Sequence, residues 1–293
     1  MKKLKAVWEL MRLEHGIMIA IAILVGSLIA EKALPIFDKF ILTFFTALLL
    51  EASTFALNDY YDLDIDRKNK RNDRPLVRGD LSPKTALYLF IVFFPLGIIC
   101  SYFVNLTCFI IALVTALLAI LYDAQFKKIK LLGNFFIAYV MAVPFIFGGA
   151  AMLKENIFTI NMSPAIFIVA LIAFLAGAGR EIMKDVMDLE GDMVKGVKSF
   201  PKYIGTRKSN MLSAFFYILA IALSFLPFLM SSYTFYYHNY YYLVLILITD
   251  TMLLIASLQL IFKESVNLNF YRKFTLMALF IGLLAFLIGA FTG

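Results

Sequence analysis

Two stretches of this sequence carry the same set of carboxylates. Asp59-Tyr-Tyr-Asp62-Leu-Asp-Ile-Asp66 and Asp185-Val-Met-Asp188-Leu-Glu-Gly-Asp192 both read D-x-x-D-L-x-x-D, with one constant offset at every aspartate. On a helix, positions i, i+3 and i+7 lie within about 60° of one another, so the three carboxylates of each copy share a face. In the first copy Asn58, Asp62 and Asp66 make a second row at i, i+4 and i+8. Like charges stacked on one face repel, and ionised carboxylates close to a bilayer are costly. Six of them facing inward need cations. Hard oxygen donors suit Mg²⁺, which takes one or two carboxylates, phosphate oxygens and water. Two such clusters, each carrying Mg²⁺, would grip a diphosphate from both sides. A lone D-x-x-D is ordinary in a solvated loop; two matched copies are not. The expected metal set is Asn58, Asp59, Asp62, Asp66, Asp185, Asp188 and Asp192, with Asp62, Asp66, Asp188 and Asp192 as the catalytic carboxylates.

Basic residues surround both copies. Lysine binds phosphate as a point charge and arginine as a two-pronged fork. Arg12, Arg67, Arg74, Lys127, Arg180 and Lys184 stand near the carboxylates or at expected helix ends, and Tyr122 lies in the same loop region as Lys127. Together with Asn58 they are the candidate substrate-binding residues. Lys128, Lys130, Lys195, Lys198 and Lys202 are also close, but many such lysines serve only to orient a membrane protein.

The elements that position these groups are membrane helices. Of 293 residues, 62% are hydrophobic and 16% charged, against about 45–50% and 25% in soluble domains. A span takes about 20 apolar residues. Nine runs qualify: roughly 15–33, 38–57, 84–104, 106–123, 134–153, 163–182, 211–231, 240–262 and 272–291. They are continuous, not alternating as in a membrane β-barrel. The expected fold is therefore an all-α, polytopic bundle of nine transmembrane helices around a central cavity, a single domain over residues 1–293. The third and fourth spans are separated only by the Ser101–Leu106 region, which must turn tightly.

Of the 27 basic residues, all but Lys32, Lys39 and Lys154 fall on the side of the N-terminus and the loops after spans two, four, six and eight. The positive-inside rule puts that side, and both aspartate motifs, in the cytoplasm. The expected location is the cell membrane, multi-pass, with a cytoplasmic-side active site. The N-terminus leads directly into an apolar run, without the small-residue cleavage site of a signal peptide. The net charge of +7 sits in loops and reads as topology and phosphate chemistry, not nucleic-acid binding. Two cysteines and two distant histidines exclude a disulfide framework and a multi-histidine metal site. The aromatic cluster Tyr233–Tyr242 reads as an interfacial belt, and Asp250 as a packing or water-pocket residue.

These residues resemble the UbiA superfamily of intramembrane prenyltransferases. Its first motif, N-D-x-x-D-x-x-x-D, is matched by Asn58, Asp59, Asp62 and Asp66, and its second by Asp185, Asp188 and Asp192. Tyr122, Lys127 and Gly133-Asn134 are similar to its tyrosine–lysine loop signature. The segments Asn58–Asp62, Asp73-Arg-Pro-Leu76, Phe147-Gly-Gly-Ala150 and Arg180–Asp185 are similar to its archaeal ether-lipid branch. Val77 and Leu13-Glu14-His15 depart from it, where relatives carry proline and Pro-Glu-Asn. The resemblance implies a Mg²⁺-dependent enzyme that joins geranylgeranyl diphosphate to the hydroxyl of geranylgeranylglyceryl phosphate within the bilayer. An aromatic acceptor is the enzymatic rival. A transporter is the non-enzymatic one, although transporters place their polar sites at the midplane, and here the acids gather at one face.

Overall fold

A computed structural model describes residues 2–31, 34–68, 70–153, 162–194, 196–233, 235–263 and 266–293. Lys32, Lys154 and Lys195 lie outside the described residues. The helices run α1 (Lys2–Met11), α2 (Gly16–Glu31), α3 (Phe37–Lys68), α4 (Pro75–Arg78), α5 (Pro83–Val104), α6 (Leu106–Ala124), α7 (Lys130–Ala151), α8 (Pro164–Met187), α9 (Leu189–Val194), α10 (Phe200–Ser224), α11 (Leu226–Leu229), α12 (Tyr240–Phe262) and α13 (Leu268–Thr292). Among the described residues, nine helices are long and apolar enough to cross a bilayer, matching the nine expected runs.

The spans α2, α3, α5, α6, α7, α8, α10, α12 and α13 each pack on the next, and α13 returns to α2, so they close a ring. Short connections make neighbours antiparallel. Asn105 alone joins α5 to α6: its side-chain oxygen accepts from Cys108 N at 2.8 Å, and its amide donates to Ala150 O at 2.8 Å. The expected tight turn is thus a helix cap tied to a third helix.

Helices α2 and α7 also meet across the ring. A Cβ on Gly26 would lie 2.0 Å from Phe145 O, and one on Gly148 2.1 Å from Ile23 O, so only glycine permits this crossing. Ser27 Oγ donates to Gly148 O at 3.0 Å and fixes its register. The crossing lies in the half of the bundle away from the aspartate motifs.

Helix α3 continues unbroken through the whole first motif to Lys68. The second motif differs from the single helix its spacing predicts: α8 ends at Met187, Asp188 is the joint, and α9 carries Asp192. The joint is a slackened turn, because Asp188 N still donates to Lys184 O and Asp192 N to Asp188 O, at 3.0 and 2.9 Å. Gly191, a poor helix former, follows it.

The aromatic cluster is only partly a belt. Tyr237, Tyr240 and Tyr241 are exposed, but Tyr236 and Tyr242 are fully buried. Their hydroxyls donate to Phe286 O and Ser224 O at 3.0 and 2.6 Å, which makes them core struts between α10, α12 and α13. Asp250 is buried on α12, its carboxylate accepting from Ser224 Oγ at 2.7 Å.

Candidate active site

At one end of the ring converge the C-terminal ends of α3, α6 and α8 and the N-terminal ends of α7 and α10. The carboxylates of both motifs sit at helix C-termini, where the helix dipole disfavours negative charge. Each is met by a specific cation or amide.

Asp59, buried, receives Arg12 Nη2 and Arg74 Nη1, each 3.0 Å from Oδ1. Two local devices aim these arginines. Arg12 sits at φ 49°, ψ 44° in the break between α1 and α2, a left-handed conformation costing roughly 1–2 kcal/mol outside glycine. Its guanidinium also lies 4.1 Å from the Phe55 ring centroid, a cation–π contact. Burial and the nearby Arg74 charge lower the Arg12 pKa from its ordinary value, with Asp59 opposing the shift. Arg74 is held extended by Pro75, as a residue before proline should be. Arg74 Nε is 4.0 Å from Asp66 and 3.8 Å from Asp73. Asp73 is held at about 2 by its hydrogen bonds from Arg71, well below the carboxylate range.

The loop before α7 serves both motifs. Lys127 Nζ donates to Asn58 Oδ1 at 3.2 Å and bonds Asp62. Asn58 in turn donates to Asp123 Oδ1 at 2.7 Å. Lys130 Nζ lies 3.3 Å from Asp185, 3.5 Å from Asp188 and 2.8 Å from Asp192, one ammonium among three carboxylates. Asn134 Nδ2 donates to Asp185 Oδ2 at 2.7 Å. Lys198 N donates to Lys128 O at 2.8 Å and Leu131 N to Lys198 O at 3.3 Å, tying this loop to the chain that follows the second motif.

Arg180 and Lys184, one turn apart on α8, both reach Glu181, at 3.3 and 2.7 Å. The Tyr122 ring stacks on Phe136 at 5.1 Å, half-buried beside this set. Arg67 is the exception among the candidates: it is exposed and, among the described residues, its ion-pair partner is exposed Asp64 at 3.9 Å. Lys130, Asn134, Asp123 and Glu181 join the constellation without having been singled out among the site residues. Asn134 alone had a motif signal, in the Gly133-Asn134 pair.

The donor set fits a hard divalent cation. Asp62, Asp66, Asp188, Asp192 and the Asn58 amide are oxygen donors at two helix ends bridged by the segment of Lys127 and Lys130, and Asp188 remains largely exposed. Among the described residues no three ligating side chains converge as an ion would gather them; Lys127 and Lys130 draw the carboxylates instead. Asp59 and Asp185 are the most enclosed members, each saturated by protein donors.

A ring of nine spans with paired aspartate-rich helix ends defines a class, and the sequence comparison agrees: the chain belongs to the UbiA prenyltransferase family, whose pattern matches residues 19–279. It is a multi-pass membrane prenyltransferase. Among particular relatives, Digeranylgeranylglyceryl phosphate synthase of Archaeoglobus fulgidus is 40% identical over 290 residues, covering 98% of this chain and 96% of that one. The synthase of the same name from Pyrococcus abyssi is 32% identical over 290 residues, covering 99% of both. A solved structure described as "Structural and mechanistic insights into the biosynthesis of Digeranylgeranylglyceryl phosphate synthase in membranes" matches with TM-score 0.79 at 34% identity over 99% of each chain. A UbiA homolog from Archaeoglobus fulgidus bound to GPP and Mg²⁺ shares the fold, with TM-score 0.67 at 18% identity over 98% of each chain.

Proposed function

We propose that this chain transfers a geranylgeranyl group from its diphosphate to the free hydroxyl of geranylgeranylglyceryl phosphate, at the cytoplasmic side of the membrane and with Mg²⁺. The observation that carries the chemistry is the pair of carboxylate rows at one end of the ring, with Lys127 on Asp62 of the first and Lys130, at the start of α7, among the three aspartates of the second. The full-length likeness to the Archaeoglobus fulgidus synthase supports the substrates.

In this reading Asn58, Asp62 and Asp66 hold one Mg²⁺, and Asp188 and Asp192 the other. Bound there, Mg²⁺ would neutralise the diphosphate and weaken its allylic C1–O bond. Arg12 and Arg74 fix Asp59, and so fix the face on which Asp62 and Asp66 stand. Asn134 does the same for Asp185. When the carboxylates take metal, Lys127 and Lys130 turn to the diphosphate, where point charges stabilise the leaving group. The acceptor oxygen bonds to C1 as the C1–O bond breaks, releasing diphosphate and a proton. The surrounding spans keep water from the allylic carbon, which otherwise would become a free prenol. The prenyl tail lies along the apolar interior and the lipid surface.

Purified protein given labelled geranylgeranyl diphosphate, geranylgeranylglyceryl phosphate and magnesium should yield the doubly prenylated glyceryl phosphate, and EDTA should stop it. Product only with a hydroxybenzoate or naphthoate would overturn the acceptor and leave the donor site standing.

A further inference from the structure

At the motif end, six basic residues among the described ones are partly buried, Arg12, Arg74, Lys127, Lys130, Arg180 and Lys184, and Arg78, its side chain 32% exposed, is paired with Glu9 and Asp80. Four of the six are matched to the aspartates. Arg12 and Arg74 enclose Asp59, with Asp66 and Asp73 also near Arg74. Lys127 sits on Asp62, and Lys130 lies among three carboxylates. Arg180 and Lys184 differ, because two positive charges share the single carboxylate of Glu181.

Arg180 is also enclosed, and Lys184 partly so. The Arg180 side chain is 11% exposed and Glu181 10%, while Lys184 is 30% exposed. Arg74 Nε and Arg180 Nε are both buried without a hydrogen-bond partner among the described residues, but Arg74 Nε has Asp66 and Asp73 within 4.0 Å. An enclosed charge without its counter-charge is costly. The cost is removed if an anion completes the group. Nor is this anion the donor's diphosphate, which in the reading above already has two metal sites and the two freed lysines.

We infer, resting on the proposed function, that Arg180 and Lys184 form a phosphomonoester site that holds the acceptor's phosphate. In a monoprenylated glyceryl phosphate one hydroxyl remains, at most two carbons from the carbon bearing the phosphate. The phosphate must therefore bind beside the diphosphate, not far from it. Lys184 and Asp188, four residues apart, share a helix face, so the pair lies next to the second aspartate row and on its membrane side. Anchoring the phosphate there sets the free hydroxyl toward C1 of the donor. Arg180 supplies the fork that suits a phosphate, and Lys184 the adjustable point charge.

The test compares geranylgeranylglyceryl phosphate with geranylgeranylglycerol, the same acceptor without its phosphate, at saturating geranylgeranyl diphosphate and magnesium. Arg180→Met and Lys184→Met should each raise KM for the phosphorylated acceptor about tenfold to a hundredfold, the loss expected for a charged hydrogen bond. Donor KM should stay within about twofold, as expected where no donor contact is lost. Wild-type preference for the phosphorylated acceptor should shrink by the same factor. Lys184, the more exposed of the two, serves if Arg180→Met does not fold. Without magnesium, where nothing turns over, geranylgeranylglyceryl phosphate should raise the Tm of the wild type but not of Lys184→Met. A rise in donor KM with acceptor KM unmoved, or equal losses with both acceptors, overturns the site while leaving the reaction intact. A wild type that prenylates only an aromatic acceptor overturns both.

Discussion

Lys130 reaches Asp185, Asp188 and Asp192 at once, so an incoming cation must compete with an ammonium already there. Lys130→Met should therefore tighten Mn²⁺ binding in the absence of diphosphate, by about tenfold, ~1.4 kcal/mol, while slowing turnover. Electron paramagnetic resonance of free Mn²⁺ measures the first effect, and unchanged binding would sink the competition. The aspartates of each row should separate by role. Asp62→Ala or Asp188→Ala should cut turnover by about 10²–10³-fold or more in protein that still folds, as Tm shows. Asp59→Asn should act on stability, because it takes the carboxylate from Arg12 and leaves Arg74 only Asp66 and Asp73 at 4.0 and 3.8 Å, a loss of about 1–3 kcal/mol. A Tm like the wild type's would contradict that role. The aspartates were legible in the sequence because helical periodicity makes i, i+3 and i+7 neighbours. Lys130, Glu181 and Asp123 were not, because their partners lie on other helices or depend on which charges remain unmatched, and one sequence does not display that.

Among the elements, helix extents were read short wherever polar residues continue a span. The run 38–57 became Phe37–Lys68, and 134–153 began at Lys130. Apolarity marks only the part within lipid, whereas the backbone hydrogen bonds continue into the polar motif. The amphipathic helix α1 and the left-handed break at Arg12 had no apolar signature at all. The crossing of α2 and α7 was equally invisible, since glycines in a membrane span have many uses. It makes a sharp demand: Gly148→Ala should lower Tm in detergent, losing about 1–3 kcal/mol or more, since its Cβ would press on backbone. Gly191→Ala, with open space around it, should leave Tm unchanged or slightly raised. Equal Tm values for the two variants would show that the crossing is slack.

At the scale of the molecule, the charge asymmetry that orders the loops predicts a cytoplasmic motif end. A cysteine introduced at Lys202 in a Cys100→Ser, Cys108→Ser background should react with an impermeant maleimide only in inside-out vesicles. One at Tyr241 should react only in right-side-out vesicles. The reverse pattern would invert the topology.

The glycines Gly26 and Gly148 lock α2 against α7 in the half of the bundle away from the motifs. A lipid formed at the motif end would meet this close contact between α2 and α7 on the way to the far leaflet. Under the proposed function every product molecule would then be born into one monolayer, and a membrane fed by this chain would grow lopsidedly until something else flipped half of its lipid across.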